Sequence, residues 1–116
     1  MKYPYRYEPI FLFHLDESIK INKRIWSDIF KFQPIHDQNV KYQNPIELYV
    51  AILKMFVKEK NAIILDPFIG GGTTAIACKR LGLRFLGYEI NNEYSNYVNN
   101  RVKNTKNNIQ KVLNIV

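Results

Sequence analysis

The stretch that decides the fold is Ala62-Ile-Ile-Leu-Asp-Pro-Phe-Ile-Gly-Gly-Gly-Thr-Thr74, where an apolar run ends in an acid and passes through three glycines. This order predicts a buried strand, a tight turn and a helix start, with which α/β folds seat a nucleotide-like ligand. Side chains at the glycine positions would hold such a ligand away from the backbone. A second run, Arg84-Phe-Leu-Gly-Tyr-Glu89, predicts a strand ending in a carboxylate that can accept hydrogen bonds from both ribose hydroxyls. Together the two segments predict a site for an adenosine-containing cofactor.

Helical and strand patterns alternate through the rest of the chain. The predicted elements are a strand over 7–15, a loop over 16–43, a helix from Asn44 with Pro45 at its first position, a strand over 62–66, a helix from Thr73 to about Leu81, a strand over 84–89, and a helix from about Asn92 capped by Asn91 or Asn92. This alternation predicts an α/β fold with a mostly parallel sheet and flanking helices. A sheet of about three strands would have exposed edges, so we expect the chain to be part of a larger α/β unit.

Composition limits the class of protein. The 116 residues suffice for one small domain, and no segment resembles a membrane span or a secretion signal. The single cysteine, Cys78, fits a reducing cytoplasm and a packing role. The net charge of +7 favours a polyanionic partner such as nucleic acid, with a basic solvated surface as the alternative. His14 and His36 lack the spacing of a metal site, and no nucleophile motif is present, so neither a metal nor a catalytic residue is assigned.

Three kinds of ligand are candidates for binding at the glycine turn. A P-loop requires a lysine after its last glycine, and Thr73 stands there instead. A dinucleotide fold is formally satisfied by Gly70-x-Gly72-x-x-Ala75, with Glu89 as the ribose acid. However, Asp66 at the end of the strand would repel a pyrophosphate, whereas it would attract the sulfonium and ammonium of S-adenosylmethionine. Asp66 could alternatively serve only to cap the turn.

The residues also resemble a known family. Asp66-Pro-Phe-Ile-Gly-Gly-Gly-Thr-Thr74 is similar to the cofactor motif Asp-Pro-Phe-x-Gly-x-Gly-Thr-Thr of the DNA amino-methyltransferases, which methylate N6 of adenine or N4 of cytosine. Gln43-Asn-Pro-Ile-Glu-Leu48 resembles the family segment before that motif, and Phe85-Leu-Gly-Tyr-Glu-Ile-Asn-Asn-Glu-Tyr94 resembles its ribose-binding strand and next helix. Tyr7-Glu-Pro-Ile-Phe-Leu-Phe13 is similar to a late strand of the catalytic half. The resemblance implies a Rossmann-like methyltransferase fold and S-adenosylmethionine as cofactor.

The resemblance also implies individual roles. Phe68, Gly70 and Gly72 would shape the methionine side of the pocket, with Asp66 near its polar end. Glu89 would hold the ribose. The other implied cofactor-binding positions are Ile90 against the adenine (or in the core), Asn44 and Pro45 beside the methionine carboxylate, and Thr73 and Asn91 within the matching segments.

Two departures from the family pattern stand out. Val40 and Asn44 replace its histidine and lysine, and the chain contains no Pro-Pro pair with which these enzymes grip the target base. We therefore expect one partial methyltransferase domain over 1–116, with its cofactor-binding part at 44–103 and a basic helical tail at 104–116. It would act on DNA with a second polypeptide or a missing N-terminal portion that carries the catalytic and target-recognition segments. The chain could be a split subunit, a truncated remnant or a prepared fragment. A non-catalytic module and a nicotinamide-binding fragment are the alternative functions.

Overall fold

The part of the chain that the structure describes folds into a small parallel sheet and three helices. The computed structural model describes residues 8–13, 15, 29–32, 40 and 43–106. Its elements are α1 (Ile46–Phe56), β1 (Ile63–Asp66), α2 (Thr73–Leu81), β2 (Arg84–Gly87) and α3 (Asn92–Asn104). The two strands pair in parallel, with Ile63 opposite Arg84 and Asp66 opposite Gly87. The predicted α/β fold with a parallel sheet is therefore confirmed.

Helix α2 is the centre of the core. It contacts α1, α3 and β2, and its residues 73–79 are all buried. Ala75, Ala77 and Cys78 are completely inaccessible to solvent, because small side chains allow neighbouring elements to approach this helix closely. Phe85 from β2 and Val98 from α3 complete the contact with the helix. This packing fixes the start of α2, and hence the glycine turn before it, against the rest of the domain.

A buried cation joins α2 to the end of α3. Lys79 is only 8% exposed, and its Nζ donates a hydrogen bond to the Val102 carbonyl. That carbonyl lies in the last turn of α3, where backbone oxygens lack partners within the helix and favour positive charge. The lysine thus compensates for its burial by satisfying the end of the neighbouring helix.

The N-terminal strand expected over 7–15 is not formed in its described part. Residues 8–13 have no regular secondary structure, and all of them are exposed. A strand is stabilised by backbone pairing with a neighbour, and none of the described residues pairs with this segment. Within the described part of the chain the sheet therefore has two strands instead of the expected three.

Some of the other predicted helix and strand ends differ from the observed ones by a few residues. The second strand ends at Gly87 and not at Glu89, because its partner β1 already ends at Asp66. Helix α1 begins at Ile46, with Pro45 as its cap residue and no capping bond from a side chain. The predicted bounds of α2 are confirmed, as is Asn91 as the cap of α3. Helix α3 ends at Asn104, so the expected helical tail does not extend through Thr105 and Lys106, and residues 107–116 lie outside the described part.

One face of the sheet is open in the described part of the chain. Ile63 and Leu65 alternate with Ile64 along β1 and are each 60% exposed, whereas Ile64 packs against the core. Large apolar side chains are costly to expose in neighbouring positions of a strand. The open face is thus an apolar surface that begins next to the glycine turn.

Candidate cofactor site

The glycine turn, residues 67–72, connects the end of β1 to the start of α2. Gly70 and Gly72 have φ values of 50° and 84°, in the left-handed region that L side chains rarely adopt. A Cβ on Gly71 would lie 2.9 Å from a methyl group of Val40, and one on Gly72 would lie 2.9 Å from a methyl group of Val98. Conformation and close packing together explain why glycine occupies these positions.

Asp66 organises the turn with both carboxylate oxygens. Its Oδ1 accepts a hydrogen bond from the Phe68 amide at 3.0 Å, and its Oδ2 accepts one from the Thr74 hydroxyl at 2.5 Å. The carboxylate therefore joins the end of β1 to the first turn of α2. Because a carboxylate has about four acceptor positions, these two bonds leave acceptor capacity for a ligand.

Backbone hydrogen bonds also connect the turn to the end of β2. The Tyr88 amide donates to the Asp66 carbonyl at 3.1 Å, and the Ile69 amide donates to the Tyr88 carbonyl at 2.9 Å. Gly87 permits this arrangement, because a Cβ there would overlap the Ile69 side chain. The turn and the segment that carries Glu89 are consequently positioned as one unit.

Glu89 is half-buried beyond the end of β2. Its Oε1 accepts a hydrogen bond from the Asn91 amide at 2.8 Å, which orients the carboxylate. The Asn91 side chain in turn accepts from the amides of Glu93 and Tyr94 at the start of α3. No donor among the described residues bonds to Oε2 of Glu89, so this oxygen can accept from a ligand.

The segment before α1 meets the first residue of α2. The Thr73 hydroxyl donates to the Asn44 carbonyl at 3.3 Å, and the Asn44 amide group donates to the Tyr49 hydroxyl at 3.3 Å. These bonds place Asn44 and Pro45 beside the glycine turn, although they are far from it in sequence. Asn44 does not cap α1, because the cap position is Pro45, one residue later.

Two apolar side chains project into solvent on either side of this unit. Phe68 is 87% exposed and Ile90 is 99% exposed. Within the described part of the chain, Ile90 therefore does not pack in the core. Ile90 follows the ribose-acid candidate Glu89, and Phe68 lies within the glycine turn.

The structure also shows contributors that are not predicted from the sequence. Thr74 and Gly87 lie within the quoted motifs, but their contacts depend on how the segments pack. Arg101, to which the sequence analysis assigns no role at the site, donates from its Nη1 to the Gly71 carbonyl at 2.8 Å. A usable signal was its place beside Val98 and Val102 in the apolar stripe of α3.

The electrostatics of the surrounding helices argue against chemistry at Cys78. Burial, followed by the nearby Asp66 carboxylate, raises the pKa of the Cys78 thiol to about 12. The protonated thiol is a packing group, as expected from the sequence.

On the outer side of α1, a hydrogen bond with its own backbone and one with Arg80 at 3.2 Å lower the pKa of Glu47.

Most of the chain matches the model of a known protein family. The family model N6_N4_Mtase, described as DNA methylase, matches residues 2–100. The chain belongs to this DNA methylase family. Family membership covers the glycine turn, both strands and most of α3, so the predicted resemblance to the DNA amino-methyltransferases is confirmed.

Curated relatives are similar to this chain over part of its length. It is 44% identical over 66 residues to the Type II methyltransferase M.HindIII of Haemophilus influenzae, covering 57% of this chain and 21% of the relative. It is 32% identical over 81 residues to the Type II methyltransferase M.BamHI of Bacillus amyloliquefaciens, covering 69% of this chain and 18% of the relative. The chain thus spans about a fifth of the curated relatives it matches.

A solved structure supports the fold of this chain. The crystal structure of the M1.HpyAVI-SAM complex superposes with a TM-score of 0.53 and 35% sequence identity, over 57% of this chain and 32% of that one. No described helix is long and apolar enough to cross a membrane. The described residues also contain no group of three or more side chains suited to a metal ion, and His14 and His36 lie outside them.

Proposed function

We propose that this chain is the S-adenosylmethionine-binding part of a DNA methyltransferase that acts on the exocyclic amine of adenine or cytosine. The observation that carries the proposal is the arrangement of Glu89. Its carboxylate is oriented by the Asn91 amide, retains one accepting oxygen, and is positioned with the glycine turn through the Ile69–Tyr88 hydrogen bond. When bound, S-adenosylmethionine supplies a methyl group on a positively charged sulfur.

The residues present fit this cofactor. The left-handed glycines allow a ligand to approach the backbone of the turn, and Glu89 can accept from ribose hydroxyls. Phe68 and Ile90 offer exposed apolar surface for the methionine side and the adenine, respectively. Asp66 contributes negative charge near a cationic ligand, which is favourable for S-adenosylmethionine and unfavourable for a pyrophosphate.

The starts of two helices offer a site for the methionine carboxylate. Asn44 and Pro45 lie at the start of α1, and Thr73 joins them to the start of α2. Backbone amides at helix starts lack partners within the helix and favour negative charge. In this proposal the two starts bind the carboxylate, while Thr73 keeps them adjacent.

The relatives support the same assignment. The similar M1.HpyAVI structure is described as a complex with SAM, and the similar curated proteins are Type II methyltransferases. The net charge of +7 is compatible with DNA as the substrate. These likenesses support DNA methylation as the reaction of the whole enzyme to which this chain contributes.

We further propose that the target base is handled by residues outside this chain. The sequence has no Pro-Pro pair, and among the described residues no strand pairs with the second edge of β1. The exposed Ile63 and Leu65 provide an apolar surface for the remainder of such an enzyme. That remainder is a second polypeptide or another portion of a longer protein. The missing Pro-Pro pair also favours a second candidate function, a non-catalytic module that retains the cofactor fold.

The proposal is tested by replacing Glu89 and a matched acid on the next helix. Glu89→Ala is expected to weaken S-adenosylmethionine binding by about 1–3 kcal/mol, the range for a lost hydrogen bond to a charged group. Glu93→Ala removes the same charge from an exposed position in the first turn of α3 and should leave the dissociation constant nearly unchanged. Isothermal titration calorimetry of the full chain and both variants gives these constants. Equal affinity of wild type and Glu89→Ala would refute the assignment of Glu89.

A further inference from the structure

Arg101 reaches from α3 back to the glycine turn. Its Nη1 donates a 2.8 Å hydrogen bond to the Gly71 carbonyl, across 30 positions of sequence. Its guanidinium carbon lies 5.7 Å from the centre of the Tyr97 ring, one helical turn earlier, which is within the range of a cation–π interaction. The half-buried guanidinium is therefore supported from its own helix while it contacts the turn.

The peptide group between Gly71 and Gly72 is held at both of its polar atoms. Arg101 binds its oxygen, and its N–H donates to the Ile69 carbonyl at 2.8 Å. Glycine has the widest choice of backbone conformations, and neither glycine has a side chain that could restrain this group by packing. The two hydrogen bonds consequently determine the orientation of this peptide plane.

We propose that Arg101 is a positioning residue that holds the Gly71–Gly72 peptide in a conformation ready for the cofactor. A turn that is ordered before binding avoids the entropy cost of ordering it during binding. The guanidinium suits this task because its hydrogen bond to a carbonyl is charge-assisted and stronger than a neutral one. The role of Arg101 in cofactor binding rests on the proposed function, whereas its effect on the conformation of the glycine turn does not.

The test compares two substitutions of Arg101 with a control on the same helix. Arg101→Met removes the hydrogen bond but keeps an apolar stem, and Arg101→Lys keeps a cationic donor. Lys103→Met removes the same charge from an exposed residue of α3. Amide hydrogen exchange followed by NMR reports the Gly72 N–H in the free full chain, and calorimetry reports S-adenosylmethionine binding.

Arg101→Met is expected to accelerate Gly72 exchange and to raise the cofactor dissociation constant, each about tenfold or more, as for a lost charge-assisted bond. Exchange of the Ala77 amide inside α2 should be unchanged, because the effect is confined to the turn. Arg101→Lys should restore most of both properties, and Lys103→Met should alter neither. If Arg101→Met does not fold, Arg101→Gln, which also removes the positive charge, takes its place with the same expected acceleration at Gly72 and the same unchanged exchange at Ala77.

Wild-type exchange at Gly72 in both Arg101 variants would overturn the proposal, as would equal acceleration at Gly72 and Ala77. Failure of the proposed function has a different signature. If the wild-type chain binds no S-adenosylmethionine, the exchange data still decide whether Arg101 holds the turn. If it binds the cofactor with equal affinity in wild type and Arg101→Met, the positioning role alone is refuted.

Discussion

The bond between Thr74 and Asp66 predicts unequal roles for two adjacent threonines. Thr74→Val keeps the shape and branching of the side chain but removes the hydroxyl that donates to the Asp66 carboxylate at 2.5 Å. A hydrogen bond to a charged group contributes about 1.5–3 kcal/mol, so unfolding free energy should fall by that amount. At about 4 °C per kcal/mol for a domain of this size, the melting temperature should fall by about 6–12 °C. Urea titration and thermal melts monitored by circular dichroism measure both quantities.

Thr73→Val is the matched control. Both threonines are 7% exposed and lie in the first turn of α2, but the Thr73 hydroxyl donates to a neutral carbonyl at 3.3 Å. Its loss should cost about 0.5–1.5 kcal/mol. A double-mutant cycle of Thr74→Val with Asp66→Ala should return most of the Thr74 cost as coupling. Equal costs at the two threonines, or a coupling near zero, would refute the role given to the Asp66–Thr74 pair.

Four further outcomes are expected. Gly87→Ala should destabilise the chain by about 1–3 kcal/mol in urea titrations, because its Cβ would overlap Ile69. Gly70→Ala, where the space is open but φ is 50°, should cost about 1–2 kcal/mol through backbone strain alone; a larger cost than at Gly87 would contradict this account. The pKa of Cys78 is raised to about 12, so its contribution to stability should be complete below the unfolded thiol pKa of about 8.5 and should be lost as pH rises towards 12. Urea titrations of wild type and Cys78→Ala across this pH range test this expectation. Parallel losses of stability in both proteins would count against it. The pure chain should transfer no labelled methyl group to duplex DNA, because it lacks the Pro-Pro motif; incorporation above background would overturn the proposed division of labour.

Local chemistry explains which parts of the fold were predictable from the sequence. The apolar run before Asp66 and the glycines after it have few alternative conformations, and the predicted helix from Thr73 to Leu81 has those bounds. Asn91 accepts from two amides of α3, as its side chain favours at a helix start. In both places neighbouring residues determine the structure.

Packing explains the parts that were not predictable. The end of β2 depends on where β1 ends. Residues 8–13 have the composition of a strand, but no segment among the described residues pairs with them. Asn44 has a good capping side chain, but the helix begins one residue later than predicted, and Pro45 occupies the cap position. The inward direction of Arg101 could not be inferred from charge, because a basic residue in a helix gives the same pattern whether it faces solvent or a carbonyl. Each case depends on contacts between segments.

The central claim is that the glycine turn and Glu89 form a pocket for S-adenosylmethionine. Calorimetric titration of the purified, folded chain with S-adenosylmethionine, with NAD as the control ligand, tests it most directly. We expect saturable binding of S-adenosylmethionine and none of NAD, because Asp66 favours a cationic ligand and opposes a pyrophosphate. Binding of NAD in preference to S-adenosylmethionine, or of neither ligand, would contradict it.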